Sequence, residues 1–267
     1  MSSKIISAAV VGLDAELVQV EADISNYPLG AFIIVGLPDT AVSESRERVR
    51  SAVKNSGLYF PKRKVTVNLA PADLRKQGPS YDLPIAVSIL AATNKIKREN
   101  FNNLLFVGEL ALNGELRPVN GVLPIAIKAK NAGIATVFTP AANAAEAKLV
   151  KDLEVIPVNN LLELVAHLEG RVAIAGSPYT EFNFTNTAIE FDMAHIKGQE
   201  HVKRAVEIAA AGAHNVLMSG PPGSGKTLIA RTMPSILPNL SLKEALEITK
   251  IYSVAGKLSP ETALMTS

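Results

Sequence analysis

An α+β domain followed by the opening strand, loop and helix of a truncated α/β domain is the fold predicted for this 267-residue chain, and three observations predict it. Strand-like and helix-like runs alternate in mixed order through the first 170 residues, with a hairpin pattern among them. From Gly170 to Glu190 the pattern fails: Gly176, Ser177 and Pro178, then Asn183, Thr185, Asn186 and Thr187, mark a linker. Beyond it a short apolar run, His214 to Ser219, leads into G-P-P-G-S-G-K-T at Gly220 to Thr227, with a helix-forming run from Leu228 to Met233 behind it. The expected division is a first domain over 1–170, a linker over 171–190 and the start of a second domain over 191–267.

The elements follow in order. Met1 to Val11 carries one Lys and an apolar run broken by Ser7; it is too short to span a membrane and reads as an edge strand. Leu17 to Ile24 alternates as a half-buried strand does, and Ala31 to Val35 reads as a buried one. Asp39 to Asn55 is a helix closed by Gly57. Lys64 to Ala70 is a strand and Leu83 to Ala92 an apolar helix. Leu104 to Val119 reads as two strands joined at Asn113-Gly114, the pair that favours a type I′ turn. Then come a helix over Val122 to Asn131 ending at Gly133, a strand over Thr136 to Thr139, a helix over Ala141 to Leu149, a strand over Val155 to Val158 and a helix over Leu161 to Leu168. An alanine-rich helix over Glu200 to Ala211 precedes the glycine-rich loop.

Composition narrows the field. Hydrophobic residues at 48% and charged ones at 19% describe a globular protein, and the length suffices for two cores. No cysteine is present, which excludes disulfides and thiolate metal sites and is compatible with a cytoplasmic location. The four histidines, at 167, 195, 201 and 214, are scattered and form no metal pattern. His195, alone in its stretch, reads as a surface or capping residue.

Residues 220 to 227 match the phosphate-binding P-loop, G-x-x-x-x-G-K-[ST]. Gly220, Pro221, Pro222, Gly223, Ser224 and Gly225 form the loop, whose glycines let backbone N–H groups turn inward around a β-phosphate. Lys226 supplies a positive charge to the β/γ-phosphates, the Thr227 hydroxyl is placed to ligand Mg²⁺, and Leu228 continues the helix facing the phosphates. ATP with Mg²⁺ is therefore the expected cofactor. The pattern also calls for a second strand ending in an acidic pair that holds Mg²⁺ and orients water. Only forty residues follow Thr227, Asp192 is the last aspartate, and Glu244, Glu247 and Glu261 end no apolar run. No catalytic set is complete, and the chain is expected not to turn ATP over.

Several motifs resemble one family. I-K-G-Q at Ile196 to Gln199, V-K-R-A-V-E-I-A-A-A-G and the P-loop are similar to the Mg-chelatase-like AAA+ ATPases of YifB/ComM type. So are V-G-L-P-D at Val35 to Asp39, N-L-A-P-A-D at Asn68 to Asp73, G-P-S-Y-D-L-P-I-A at Gly78 to Ala86 and V-G-E-L-A-L-N-G-E-L-R-P-V at Val107 to Val119. The resemblance implies an N-terminal domain of ribosomal-S5/Lon-protease type, then an AAA+ domain in which Ile196, Gly198 and Gln199 lie beside the adenine. It implies a hexameric DNA helicase promoting branch migration in natural transformation, roughly twice as long as this chain, with DNA as partner and no membrane.

The Lon-like resemblance raises a peptidase, with Ser80 in Gly78-Pro79-Ser80 at the nucleophile's place. The lysine general base would fall at Leu123, and Lys128 lies too late. A serine without a positioned base is a negligible nucleophile. Ser80 is expected to be catalytically idle and to cap a helix, with Asp82 in the first turn.

Asp39 to Lys76 holds nine basic residues against four acidic ones, a net +5. Arg46, Arg50 and Lys54 recur every four residues, and with Lys62, Arg63 and Lys64 they form a candidate phosphate-contacting face. A solvated helix face explains the same charges. Two other functions are compatible with the residues: a chelatase-type motor driving Mg²⁺ insertion, and a module that only binds ATP or assembles.

Overall fold

The computed structural model describes residues 2–25, 30–96, 101–179, 191–258 and 264–265. The chain divides into two compact units: Met1–Thr180 with Ile248–Leu264, and Glu181–Glu247 with Met265–Ser267.

The first unit is built on a seven-stranded mixed sheet. Its strands are β1 (Ser2–Val11), β2 (Asp14–Ile24), β3 (Phe32–Val35), β4 (Val65–Ala70), β5 (Leu104–Phe106), β8 (Thr136–Pro140) and β9 (Glu154–Val158), in the order β3-β4-β2-β1-β5-β8-β9. Parallel pairing joins β3 to β4 and runs from β1 through β5 and β8 to β9, while β2 is antiparallel to both its neighbours. Two small strands, β6 (Glu109–Leu110) and β7 (Leu116–Arg117), pair apart from it.

The helices of this unit are α1 (Thr40–Asn55), α2 (Asp82–Ala92), α3 (Val122–Asn131), α4 (Ala144–Ala147) and α5 (Leu161–Leu168). Asp39 caps α1, its Oδ1 accepting from the Val42 amide at 2.8 Å. Its Oδ2 accepts from Gly78 at 3.1 Å, which ties the V-G-L-P-D stretch to G-P-S-Y-D. In α2 every residue but Ala91 is buried, as befits a helix apolar on all sides. Phe106 and Phe138 stack with centroids 4.7 Å apart.

Five expectations are corrected. Met1–Val11 is not an edge: β1 lies at the middle of the sheet, because Ile5, Ala8 and Ala9 are buried and both its sides pair. β3, read as a buried strand, is the edge, with Phe32 inward and Ile33 and Val35 exposed. Leu104–Val119 is not one hairpin. Leu104–Phe106 joins the main sheet, and only β6 and β7 fold back on each other. There Asn113-Gly114 forms no type I′ turn: the Gly114 amide donates to Ala111 and the Ala111 amide to Glu115, leaving three residues in the loop, of which Gly114 alone has positive φ. Ala141–Leu149 is a 3₁₀ turn followed by the single turn α4. Ser80 caps nothing, for it lies inside a 3₁₀ turn, Pro79–Tyr81, that runs straight into α2. Ser80→Ala should therefore shift the unfolding midpoint by no more than an ordinary surface change, about 0.5 kcal/mol. A loss near the 1 kcal/mol of a deleted cap, measured in urea, would contradict it.

Residues 171–179 contain no helix and pair with the sheet through one bridge, Ser177 to Val155, while Ile174 packs against the core. The rest of the expected linker, 180–190, lies outside the described residues. In the second unit a 3₁₀ turn at Met193–His195, capped by Asp192, precedes α6 (Glu200–Ala211) and α7 (Lys226–Thr232). Ile196, Val206 and Ile229 are its buried apolar cluster. The last helix, α8 (Leu242–Val254), begins in the second unit and ends in the first.

Candidate functional site

The glycine-rich loop takes the backbone that its residue types favour. Gly223 and Gly225 sit at φ 79° and 86°, in the left-handed region that side chains rarely adopt, and Gly225 opens α7. A Cβ built at either would meet nothing within 4 Å, so the loop faces open space. Lys226 and Thr227 are the first two residues of α7, side by side at the loop's end. The Lys226 ammonium donates to the carbonyls of Gly220 at 2.9 Å and Pro221 at 2.7 Å, and to Ser224 Oγ at 3.1 Å. The loop's own oxygens thus hold its cation over the loop, and Thr227 and Leu228 are exposed.

The expected strand before the loop does not form. Residues 214–219 pair with no strand, Val216 is 37% exposed and Leu217 96%. A buried strand needs neighbours on both sides, and among the described residues of this unit there is no other strand to supply them. Of the adenine-side residues, Ile196 is brought to α7 through the cluster with Ile229, where its side chain is buried. Gly198 and Gln199 are exposed, both at positive φ, where the chain turns into α6.

The candidate basic face is only partly formed. Arg46, Lys54, Lys62 and Arg63 are exposed and Lys64 is half-buried. Arg50 turns inward, its guanidinium 5.4 Å from the Phe60 ring centroid. Two further cations of the +5 stretch are engaged within the first unit. Arg48 pairs with buried Asp82, and the buried Lys76 ammonium donates to the Pro71 carbonyl. Burial holds the Lys76 ammonium below its usual value. His195 is exposed, and among the described residues no three of His, Cys, Asp or Glu stand together as metal ligands.

At the peptidase-like position Leu123 is fully buried near the start of α3 and carries no proton acceptor. Its amide instead donates to Glu146 Oε2 at 3.2 Å. Sequence reading missed this carboxylate. Glu146 also accepts from Asn143 Nδ2 at 2.6 Å and Ser253 Oγ at 2.6 Å, while Asn143 grips both the amide and the carbonyl of Val119. These residues line a cavity of about 220 Å³ with Asn120 and Gly256.

Burial pushes the Glu146 carboxyl above the ordinary 4.5, and its three neutral donors only partly offset this. A raised folded-state value means that the folded chain holds this proton more tightly. The contribution to stability is therefore full below pH 4.5 and is lost as pH rises through the raised value. Glu146→Gln should flatten that fall, measured as urea midpoints from acid to neutral pH. An unchanged pH slope would refute it.

A family model described as subunit ChlI of Mg-chelatase matches residues 20–143, and one described as magnesium chelatase, subunit ChlI, matches 192–267. Competence protein ComM of Haemophilus influenzae is 41% identical over 254 residues, covering 93% of this chain and 49% of the relative. Protein YifB of Salmonella typhimurium is 44% identical over 248 residues, covering 93% and 48%. The chain is also similar to Lon protease of Rhizobium meliloti, 28% identical over 135 residues, covering 48% of this chain and 16% of that protein. The chain spans about half the length of these two relatives, ComM and YifB. Among the described residues no helix is long and apolar enough to cross a membrane.

Proposed function

Since this chain belongs to the Mg-chelatase-like ATPase family of YifB/ComM type, we propose that it binds Mg·ATP at Gly220–Thr227 and that the whole protein is an ATP-driven DNA helicase or branch-migration motor. The observation that carries the nucleotide reading is the loop itself. Left-handed glycines open a helix whose first two residues are Lys226 and Thr227, above open space. Its residues fit the nucleotide. The backbone amides of Gly223, Ser224 and Gly225 would take the β-phosphate, the Lys226 ammonium would exchange the carbonyls of Gly220 and Pro221 for phosphate oxygens, and Thr227 Oγ1 would ligand Mg²⁺. The metal supplies charge neutralisation across the β- and γ-phosphates. Ile196, Gly198 and Gln199 would border the adenine, with Ile196 presenting backbone, since its side chain is buried.

DNA is the proposed partner of the whole protein, supported by the ComM relative and by the exposed cations Arg46, Lys54, Lys62 and Arg63; assembly as a homo-hexamer belongs to the same reading. The 1–170 segment is proposed as the Lon-like domain without peptidase chemistry, supported by Leu123 where a base would stand. The test is ATP hydrolysis by a full-length form with and without branched DNA. Stimulation by branched DNA is expected. Hydrolysis indifferent to DNA would refute the motor reading while leaving the nucleotide site.

A polypeptide of residues 1–267 should bind Mg·ATP without steady turnover. The described residues after Thr227 form no strand that could end in an acidic pair, and Glu244 is occupied in capping α8, accepting from Ser241 N at 2.8 Å. Phosphate release assays check this. Turnover that disappears in Lys226→Ala would contradict it.

A further inference from the structure

Asp82 and Glu146 are the two buried acidic side chains among the described residues. Asp82 holds a guanidinium, Arg48, at 2.7 Å. Glu146 holds no cation. Its bonds come from the Leu123 amide on α3, Asn143 Nδ2 in the turn before α4 and Ser253 Oγ near the end of α8, all neutral. No charged group among the described residues acts on it. Where Asp82 has Arg48, Glu146 has the cavity of about 220 Å³. Every residue lining that cavity belongs to the first compact unit, so the cavity is a property of that unit alone.

The cavity has a polar floor and an apolar wall. Glu146 and Asn143 are 6% and 8% exposed and form the floor. Pro118 and Ala142 are exposed at the mouth, and half-buried Ala145 and Leu258 continue the wall. A carboxylate accepts about four hydrogen bonds. Oε2 already accepts two and Oε1 one, so the open site is on Oε1. Asn143 Oδ1 accepts from the Val119 amide, which leaves a second lone pair among the described residues.

These sites select among cations. A guanidinium takes both oxygens of a carboxylate side by side, and Oε2 is filled. A Ca²⁺ ion takes about six to eight oxygens, where this floor offers one carboxylate and one amide. An ammonium is a compact charge with three donors, and an alkyl chain behind it suits the apolar wall. We propose that the cavity binds an alkylammonium ion, the ammonium donating to Glu146 Oε1 and Asn143 Oδ1 and the chain lying along Ala142, Ala145 and Leu258. Binding sets a cation beside a buried charge that is otherwise uncompensated, and so offsets the cost of ionising Glu146 in the folded chain.

The site is independent of the nucleotide reading, and its pH dependence has a definite sign. Burial holds the Glu146 carboxyl above the ordinary 4.5, while an alkylamine stays protonated up to about pH 10. The ion binds the ionised acid. Its affinity therefore rises as pH rises through the Glu146 value, opposite to the fall in stability of the ligand-free chain.

The experiment measures urea midpoints of the 1–267 chain at equal concentrations of n-butylammonium chloride, potassium chloride and 1-butanol, from mild acid to neutral pH. Butylammonium alone is expected to raise the midpoint, and more at neutral pH than in acid. Glu146→Gln keeps the side-chain shape and removes the charge. It should weaken butylammonium binding by about tenfold or more, as loss of a charge-assisted hydrogen bond does. Ala142→Leu, at the exposed mouth, should obstruct binding as strongly while leaving the ligand-free midpoint where it was. Nα-acetyl-lysine methylamide in place of butylammonium identifies the source. Tighter binding assigns the ammonium to a lysine of a polypeptide, and equal or weaker binding to a free amine. An equal rise with potassium chloride or butanol overturns the ammonium site. So does a rise that survives either variant, or no rise in the unaltered chain.

Discussion

Lys226→Ala should abolish measurable Mg·ATP binding at concentrations that saturate the unaltered chain, and should leave the first domain folded. The ammonium is the only side-chain cation of the loop, and hydrogen bonds from a cation to phosphate oxygens are each worth about 1.5–3 kcal/mol. Losing two of them costs at least about 3 kcal/mol, or roughly a hundredfold in affinity. The fold should be indifferent because the partners of Lys226 are its own loop's oxygens, at Gly220, Pro221 and Ser224, which solvent can replace. Binding of a fluorescent nucleotide, with circular dichroism on the same samples, measures both halves. Unchanged affinity would refute the P-loop assignment. Loss of the first domain's structure would refute the independence of the two units.

What could be read from the sequence follows the range of the interactions. Helices carry local punctuation. Asp39 before α1, Asn160 before α5 and Gly57 and Gly133 after α1 and α3 mark their ends, and α3, α5 and α6 span the expected residues. The P-loop is local too, since its eight residues contain both its backbone requirement and its chemistry. Strand position is not local. β1 looks like an edge strand until Leu105 is known to pair with Ile6, a hundred residues away. Residues 214–219 have the composition of a buried strand, but burial comes from neighbouring strands and not from composition. The buried carboxylates were invisible for the same reason. Glu146 sits in an unremarkable alanine-rich stretch, and its partner Ser253 lies 107 residues on. Spacing sets Arg48 apart from the face of Arg46, Arg50 and Lys54, but it does not reveal the partner, Asp82, which lies in another helix.

That partner makes Arg48→Ala the substitution with the largest expected effect on stability. Arg48 Nε donates to Asp82 Oδ2 at 2.7 Å and Nη2 to Oδ1 at 3.1 Å, a two-point pair joining α1 to the start of α2. The Leu110 amide adds a third bond to the carboxylate, from β6. Asp82 has no exposed surface, whereas the Arg48 side chain is 20% exposed. Burial pushes the Asp82 carboxyl above its ordinary value while Arg48, Ser45 and Leu110 pull it back, and Asp82 in turn raises Arg48. Removing the cation strands a carboxylate that water cannot reach, which costs about 3–5 kcal/mol. Asp82→Ala should cost less, because a partly exposed guanidinium can turn to solvent. The pH dependence identifies the cause. Without Arg48 the folded-state value of Asp82 rises further, so the folded chain favours the protonated acid. The loss is then greatest near neutral pH and shrinks as pH falls toward the ordinary 3.8, where the acid is protonated in the folded chain at little cost. Urea unfolding of both single variants near neutral pH and in mild acid measures this. Equal losses for the two variants, or a loss for Arg48→Ala that grows in acid, would show that the helices are held by packing and not by the pair.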